Sequence, residues 1–206
     1  PEVFFKIGLC HIKLNELSNA YEVLNKISVN YPDFSKQKEI ISLMGIVNFF
    51  NEDYEVALEK FTKVSDEASS EELRSKGIFY SGLIQDKMGK HFLALGKLRK
   101  IEGKFSQDKL NEITLYKKAE MFYKLDDYKF AKEKWNEFLE EYPESPYVSY
   151  AEFMVGLCDF NEEDFSLAKE WFEKFVKKHA KVSLGKSKKE SDETFPSANL
   201  KRNYYA

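Results

Sequence analysis

The sequence predicts an all-α protein built as a linear array of repeated helical hairpins, and three observations carry that prediction. Glycine and proline are scarce, nine and five in 206 residues, while charged residues make up 33% and apolar residues 43%, as in helices with one buried and one solvated face. Small residues recur at intervals of 37, namely Ala20, Ala57, Ala94, Ala131 and Ala168, each preceded by twelve residues by Gly8, Gly45, Gly82, Ala119 and Gly156. Between the members of each pair lies a short polar break, such as LNEL, FNEDY, LDDY or FNEEDF, with apolar residues at three- and four-residue steps on both sides. That is the pattern of a helix, a turn and a second helix, written five times.

The elements follow in order. PEVFFKIGLCHIK is already patterned as the first helix of the first copy. The copies span about 1–37, 38–74, 75–111, 112–148 and 149–180. Within each, Gly or Ala makes room where two helices approach to about 8–10 Å, a separation that tolerates no long side chain at the contact. Bulky residues fill the space around it: Tyr54, Tyr128 and Phe165 at the start of the second helix, and Phe61, Trp135 and Phe172 one turn after the alanine. Asp53, Asp127 and Asp164 stand where the second helix needs an N-cap, so their carboxylates are expected to accept from its free amides. Tyr31-Pro32 and Tyr142-Pro143 end second helices, because proline disfavours helical backbone in the residue before it. After the fifth copy, 181–195 reads as a basic flexible loop. Residues 196–206, whose Pro196-Ser197 repeats the start of YPESPYVSYAEF, read as the beginning of a truncated further helix. The chain opens without an initiator methionine and reads as a piece of something longer.

These residues resemble the tetratricopeptide repeat family, whose 34-residue helix-turn-helix unit carries small residues at its eighth and twentieth places. The first copy matches with Phe4, Gly8, Ala20, Leu24 and Pro32, and the fourth with Ala119, Phe122, Ala131, Trp135 and Pro143. The period of 37 departs from the family's, and copies two, three and five have Ser69, Ser106 and Ala180 in place of the proline. The link YPESPYVSYAEF is similar to that of bacterial cell-envelope members, the Tol-Pal associated and outer-membrane assembly type, so the periplasm or envelope is preferred over the cytoplasm. The resemblance implies a right-handed superhelical α-solenoid with the first helices lining a concave face. On that face it places Phe5, Leu9, Phe49, Phe79, Leu83, Tyr116, Tyr123, Phe153 and Phe160. The implied function is a non-enzymatic scaffold that takes a protein or peptide partner in an apolar, aromatic groove. The alternative is a structural spacer or self-association module, with a homodimer through the repeat ends. Members that grip a partner's C-terminal carboxylate use Lys and Asn where this chain has Phe5 and Leu9, so that clamp is not expected.

Other function classes are disfavoured by charge and spacing. The net charge of −3 divides into +5 over residues 177–202 and −8 elsewhere. An acidic body argues against a nucleic-acid surface, whose affinity comes from clustered Lys and Arg. AKVSLGKS, with Gly185, Lys186 and Ser187, fits a loose phosphate-loop pattern but follows no strand, so no nucleotide or other cofactor is expected. His11, His91 and His179 fall at three different places of the repeat, which disfavours a metal site. Cys10 and Cys158 share one place in the first and fifth copies, too far along a stack for a disulfide, and are expected to be buried thiols. No small-molecule substrate is implied.

Overall fold

The structure, a computed structural model, describes residues 1–101 and 108–183, and its regular elements are ten α-helices with no strand among the described residues. They are α1 (Glu2–Lys13), α2 (Leu17–Asn30), α3 (Gln37–Phe50), α4 (Tyr54–Glu67), α5 (Glu71–Lys87), α6 (His91–Leu98), α7 (Asp108–Lys124), α8 (Tyr128–Glu141), α9 (Val148–Asn161) and α10 (Phe165–Ser183). The chain divides into two compact units, Pro1–Thr114 and Leu115–Ala206. The division falls inside α7, at a point the 37-residue pattern gives no reason to expect.

In the first unit α1 packs on α2, α3 on α4 and α5 on α6, while α2 also packs on α3 and α4 on α5. The small residues do what steric reasoning requires. A Cβ added at Gly8 would meet Leu24 Cδ2 at 2.9 Å, at Gly45 Phe61 Cε2 at 3.0 Å, and at Gly82 Leu98 Cδ2 at 2.8 Å. Each glycine thus receives the side chain sixteen residues later on the partner helix. All three of those side chains are fully closed to water.

The second unit repeats the arrangement. α8 packs on α9 and α9 on α10, and Gly156 receives Phe172, whose Cε1 would lie 2.8 Å from an added Cβ. Ala119 and Trp135 hold the equivalent places on α7 and α8, both fully buried. The Tyr116 and Trp135 rings meet edge to face at 5.1 Å.

Every hairpin turns in the same way. Asn15, Glu52, Gly89, Asp126 and Glu163, 37 residues apart, have φ of 60°, 65°, 73°, 58° and 62°. In each case the next residue's amide reaches back five residues to a carbonyl, as in Glu16 N to His11 O at 2.8 Å and Asp164 N to Asp159 O at 2.9 Å. This is a helix C-terminus closed by one left-handed residue. Only Gly89 is a glycine, which is why the sequence did not disclose the motif.

Capping follows the expectation in part. Asp127 accepts from Phe130 N at 3.3 Å and Asp164 from Leu167 N at 3.1 Å. Asp53 is a correction: it precedes α4 but makes no side-chain cap bond, and the Tyr54 amide is taken by the Glu52 carbonyl at 2.8 Å. Ser70, not expected from the sequence, caps α5 by accepting from Leu73 N at 3.4 Å. α2 and α8 end before Tyr31 and Tyr142 as the prolines dictate, and the two tyrosine carbonyls accept from Phe34 N and Ser145 N at 3.0 Å each.

Two further expectations change. α10 runs through Ser183, three residues into the stretch read as loop; the remainder of that loop, the phosphate-loop residues Gly185 to Ser187 and the helix expected at 196–206 lie outside the described residues. Cys158 is a buried free thiol, whereas Cys10 is free and exposed, because it sits on an uncovered face of α1. No helix among the described residues is long and apolar enough to cross a membrane.

Candidate functional site

The nine side chains expected on the first-helix face separate by burial. In the first unit Phe5, Phe79 and Leu83 are buried, and Leu9 and Phe49 are half-buried. In the second, Tyr116 is buried, Tyr123 and Phe153 are half-buried, and Phe160 is 51% exposed. The buried four hold the hairpins together.

Phe5 lies edge-on to Phe34 at 6.4 Å, with the Lys36 ammonium 5.0 Å from its ring centre. The same ammonium donates to Glu2 Oε1 at 2.7 Å and holds that carboxyl below its ordinary range. Tyr116 is enclosed by Trp135, Tyr147 at 4.9 Å, Tyr150 at 5.6 Å and Phe138 at 5.9 Å. Burial raises its hydroxyl well above the usual phenol value and pushes Tyr150 up to about 12. A neutral, enclosed phenol of this kind is a packing group, not an acid or base for chemistry.

The less buried aromatics share a device. Phe49 meets Tyr54 at 6.0 Å, Tyr123 meets Tyr128 at 5.3 Å, and Phe160 meets Phe165 at 5.3 Å. In each pair a ring near the end of the first helix touches a ring five residues later, across the turn, at the start of the second. The third copy makes the same link in polar form, with His91 Nδ1 2.8 Å from Asp86 Oδ1. Phe49 also touches Phe50 at 5.5 Å and Tyr80 at 6.3 Å, and Tyr123 Oη accepts from Asn161 Nδ2 at 2.8 Å. Phe153 lies against Phe172 at 5.7 Å and Phe175 at 6.0 Å. These rings are clamped in place while one side stays open to solvent. The sequence carries this signal as an aromatic spacing of five across the second, fourth and fifth breaks.

The second helices carry an apolar row of their own. Val56, Leu93, Phe130 and Leu167, again 37 apart, are all exposed on the second helices. Polar groups of the same repeat place also stand out: Asn48 Oδ1 and Gln85 Oε1 in the first unit, and Asp159 Oδ2 in the second, are closed to water without a hydrogen-bond partner. Asp159 Oδ1, by contrast, accepts from Lys132 Nζ at 2.5 Å. No group of three or more His, Cys, Asp or Glu that could hold a metal occurs among the described residues.

Stacked helical hairpins with small residues at the crossings, closed by a left-handed residue and presenting aromatic first helices, define a tetratricopeptide-repeat protein. A tetratricopeptide repeat model matches residues 2–33. The model for the YfiO family, described as outer membrane lipoprotein, matches residues 71–199, and the chain belongs to that family. No curated protein sequence matches. Among solved structures, the MamA protein is 15% identical with a TM-score of 0.72, over 91% of this chain and 96% of that one. The apo form of RapI is 14% identical with a TM-score of 0.76, over 88% and 71%. A tetratricopeptide repeat protein from Parabacteroides merdae is 14% identical with a TM-score of 0.71, over 87% and 66%. At these identities the likeness is one of fold.

Proposed function

We propose that the protein is a docking scaffold that takes a segment of another protein on the open sides of its first-helix aromatics. The observation that carries the reading is the set of cross-turn ring pairs. Phe49, Tyr123 and Phe160 are partly exposed yet already immobilised by Tyr54, Tyr128 and Phe165, so a partner that covers them loses little additional side-chain freedom on their account. Rigid aromatic anchors of this kind supply most of the affinity in protein interfaces. Leu9 and Phe153 extend the same faces within their units, with Phe5, Phe79, Leu83 and Tyr116 as the layer beneath. Exposed apolar surface repeated in this way is a liability unless it is used. The description of the family as outer membrane lipoprotein supports placing this scaffold in a bacterial envelope.

The test is retention of an identified partner. A charge at Phe79 would be uninformative, since that side chain is 3% exposed and its replacement would disturb folding. Phe49→Asp and Phe160→Asp fall on partly exposed rings, and far-UV circular dichroism matching the wild type checks that the fold is kept. Partners retained by the wild-type chain and identified by mass spectrometry should be lost from the double variant and kept by Phe92→Asp, which carries its charge on the second-helix side of the third hairpin. Retention by the double variant would refute the reading, and loss through Leu93→Asp and Phe130→Asp instead would move the contact to the second-helix row.

A further inference from the structure

We infer that the edge of the third hairpin, from Lys87 to Lys100, seats on the surface of an anionic lipid bilayer. The argument begins at places eighteen and nineteen of the 37-residue unit, near the start of each second helix. Both places are exposed in all five copies, so their exposure belongs to the repeat and not to the ends of the chain. Four copies hold Ser18, Glu55, Lys129 and Ser166 at place eighteen, whereas the third holds Phe92. At 78%, Phe92 is the most exposed large apolar side chain among the described residues, and Leu93 next to it is 57% exposed. Both lie on α6, within the first unit.

The charge around these two side chains also sets the third hairpin apart. KMGKHFLALGKLRK, residues 87–100, carries Lys87, Lys90, Lys97, Arg99 and Lys100 and no carboxylate. The corresponding stretches of the other copies, 13–26, 50–63, 124–137 and 161–174, carry two, four, four and five carboxylates and net charges of 0, −2, 0 and −3. The carboxylate just before the stretch, Asp86, is buried and engaged by His91 Nδ1 at 2.8 Å. Lysines elsewhere are held by carboxylates, as in Lys26 with Glu22 and Lys76 with Glu72, but none of these five cations forms an ion pair among the described residues. Arg99 continues the helical backbone, at φ −58° and ψ −24°. Phe92 and Arg99 are therefore two turns apart on one line of the helix, and Leu93 and Lys100 on the next, while Ala94, Leu95 and Leu98 are buried.

One partner answers both features. Long Lys and Arg side chains reach lipid phosphates while Phe92 and Leu93 enter the boundary with the acyl chains. A nucleic acid would answer the cations but offers no apolar phase to Leu93. An acidic protein would need a pocket shaped to receive a protruding ring, whereas a bilayer yields to it. With −3 on the whole chain and +5 here, the remainder sums to −8. Approach to an anionic surface is therefore favoured along this edge and opposed by the rest of the net charge.

Flotation of the whole chain with unilamellar vesicles tests this. The wild-type chain should float with vesicles of equal parts phosphatidylglycerol and phosphatidylcholine and stay behind with phosphatidylcholine alone. It should be released as salt rises from about 0.1 M to about 1 M, where the screening length falls from about 10 Å to about 3 Å. Lys90→Gln with Arg99→Gln should weaken binding about 30-fold, and Phe92→Ser about tenfold. All three side chains are exposed, so far-UV circular dichroism should match the wild type. Lys129→Gln with Lys169→Gln removes the same charge at exposed places of the second unit and should bind as the wild type does. No flotation with phosphatidylglycerol, equal flotation with phosphatidylcholine alone, or as large a loss from the Lys129 and Lys169 pair would overturn the inference. So would binding that persists in the Lys90, Arg99 and Phe92 variants, carried then by 177–202 or another surface, or capture of a single-stranded oligonucleotide in place of vesicles. The docking of a protein partner is read separately: Phe49→Asp with Phe160→Asp should still float, and Phe92→Ser should still retain protein partners.

Discussion

Replacing a single hydrogen of Gly77 by a methyl group tests how closely α4 and α5 approach. Its repeat place holds Val3, Ile40, Thr114 and Ala151 in the other copies; glycine here has a local cause. A Cβ at Gly77 would lie 2.7 Å from Ser65 N, 2.8 Å from Phe61 O and 3.0 Å from Ser65 Cα. Ordinary contacts begin near 3.5 Å, so the shortfall is about 0.7 Å. All three atoms are α4 backbone, with no rotamer to turn aside. α5 must retreat from α4, loosening contacts along both helices, which costs about 1–3 kcal/mol with this site at the upper end. The intrinsic helix preference of alanine over glycine returns about 1 kcal/mol. Gly77→Ala should therefore destabilise by about 1–2 kcal/mol, a fall in Tm of roughly 2–8 °C for a chain of this size. Gly96→Ala is the control, because nothing lies within 4 Å of its added Cβ. It should gain about 0.5–1 kcal/mol and melt a few degrees higher. Thermal unfolding followed by far-UV circular dichroism reads both. If Gly77→Ala melts at or above the wild type, the helices are not pressed together there and the account of the α4–α5 contact fails.

Other outcomes follow from the same geometry. Glu52→Gly and Glu163→Gly should each stabilise by about 0.5–1 kcal/mol in urea unfolding, since a left-handed φ strains a residue with a Cβ, and Gly89→Glu should cost a similar amount. Lys132→Met should destabilise by about 1–3 kcal/mol, because it leaves the buried Asp159 carboxylate without its ammonium partner; the figure is reduced for the part-exposure of Lys132. A thiol reagent at neutral pH should modify Cys10 at once and Cys158 only on unfolding. Burial pushes the Cys158 thiol up to about 12 from an ordinary value of 9.0, and Tyr150 up to about 12 from 10.0. The folded state holds these protons more tightly than the unfolded chain does. Their contribution is therefore complete below pH 9 and is lost as pH rises from 9.0 to about 12. Cys158→Ala should make the alkaline unfolding curve shallower, and an unchanged curve would remove the thiol from that account.

Much of the fold was legible because steric demands repeat along the chain. Gly8, Gly45, Gly82 and Gly156 each receive a side chain sixteen residues on, so helix pairing is written in the positions of the smallest residues. Proline after Tyr31 and Tyr142 fixed where two helices stop. The candidate surface was less legible. Place in the repeat put Phe79 and Phe160 on the same helix face, yet one is enclosed and the other is half open. Depth depends on which neighbours arrive, and no local pattern states that. Asp53 and Asp127 share a place and a residue type, but the cap bond forms only at Asp127.

By itself, then, the sequence determined the helices, their pairing and the interval between crossings, because these depend on residue size and backbone preference within about 40 neighbouring positions. Only the tertiary structure decided which aromatics remain open and which are enclosed. It also decided that the left-handed turn is borne by Asn15, Glu52, Asp126 and Glu163 as well as Gly89. Those outcomes come from how much surface each neighbour covers and how much strain the packed hairpins can hold, quantities that exist only once the helices are in contact.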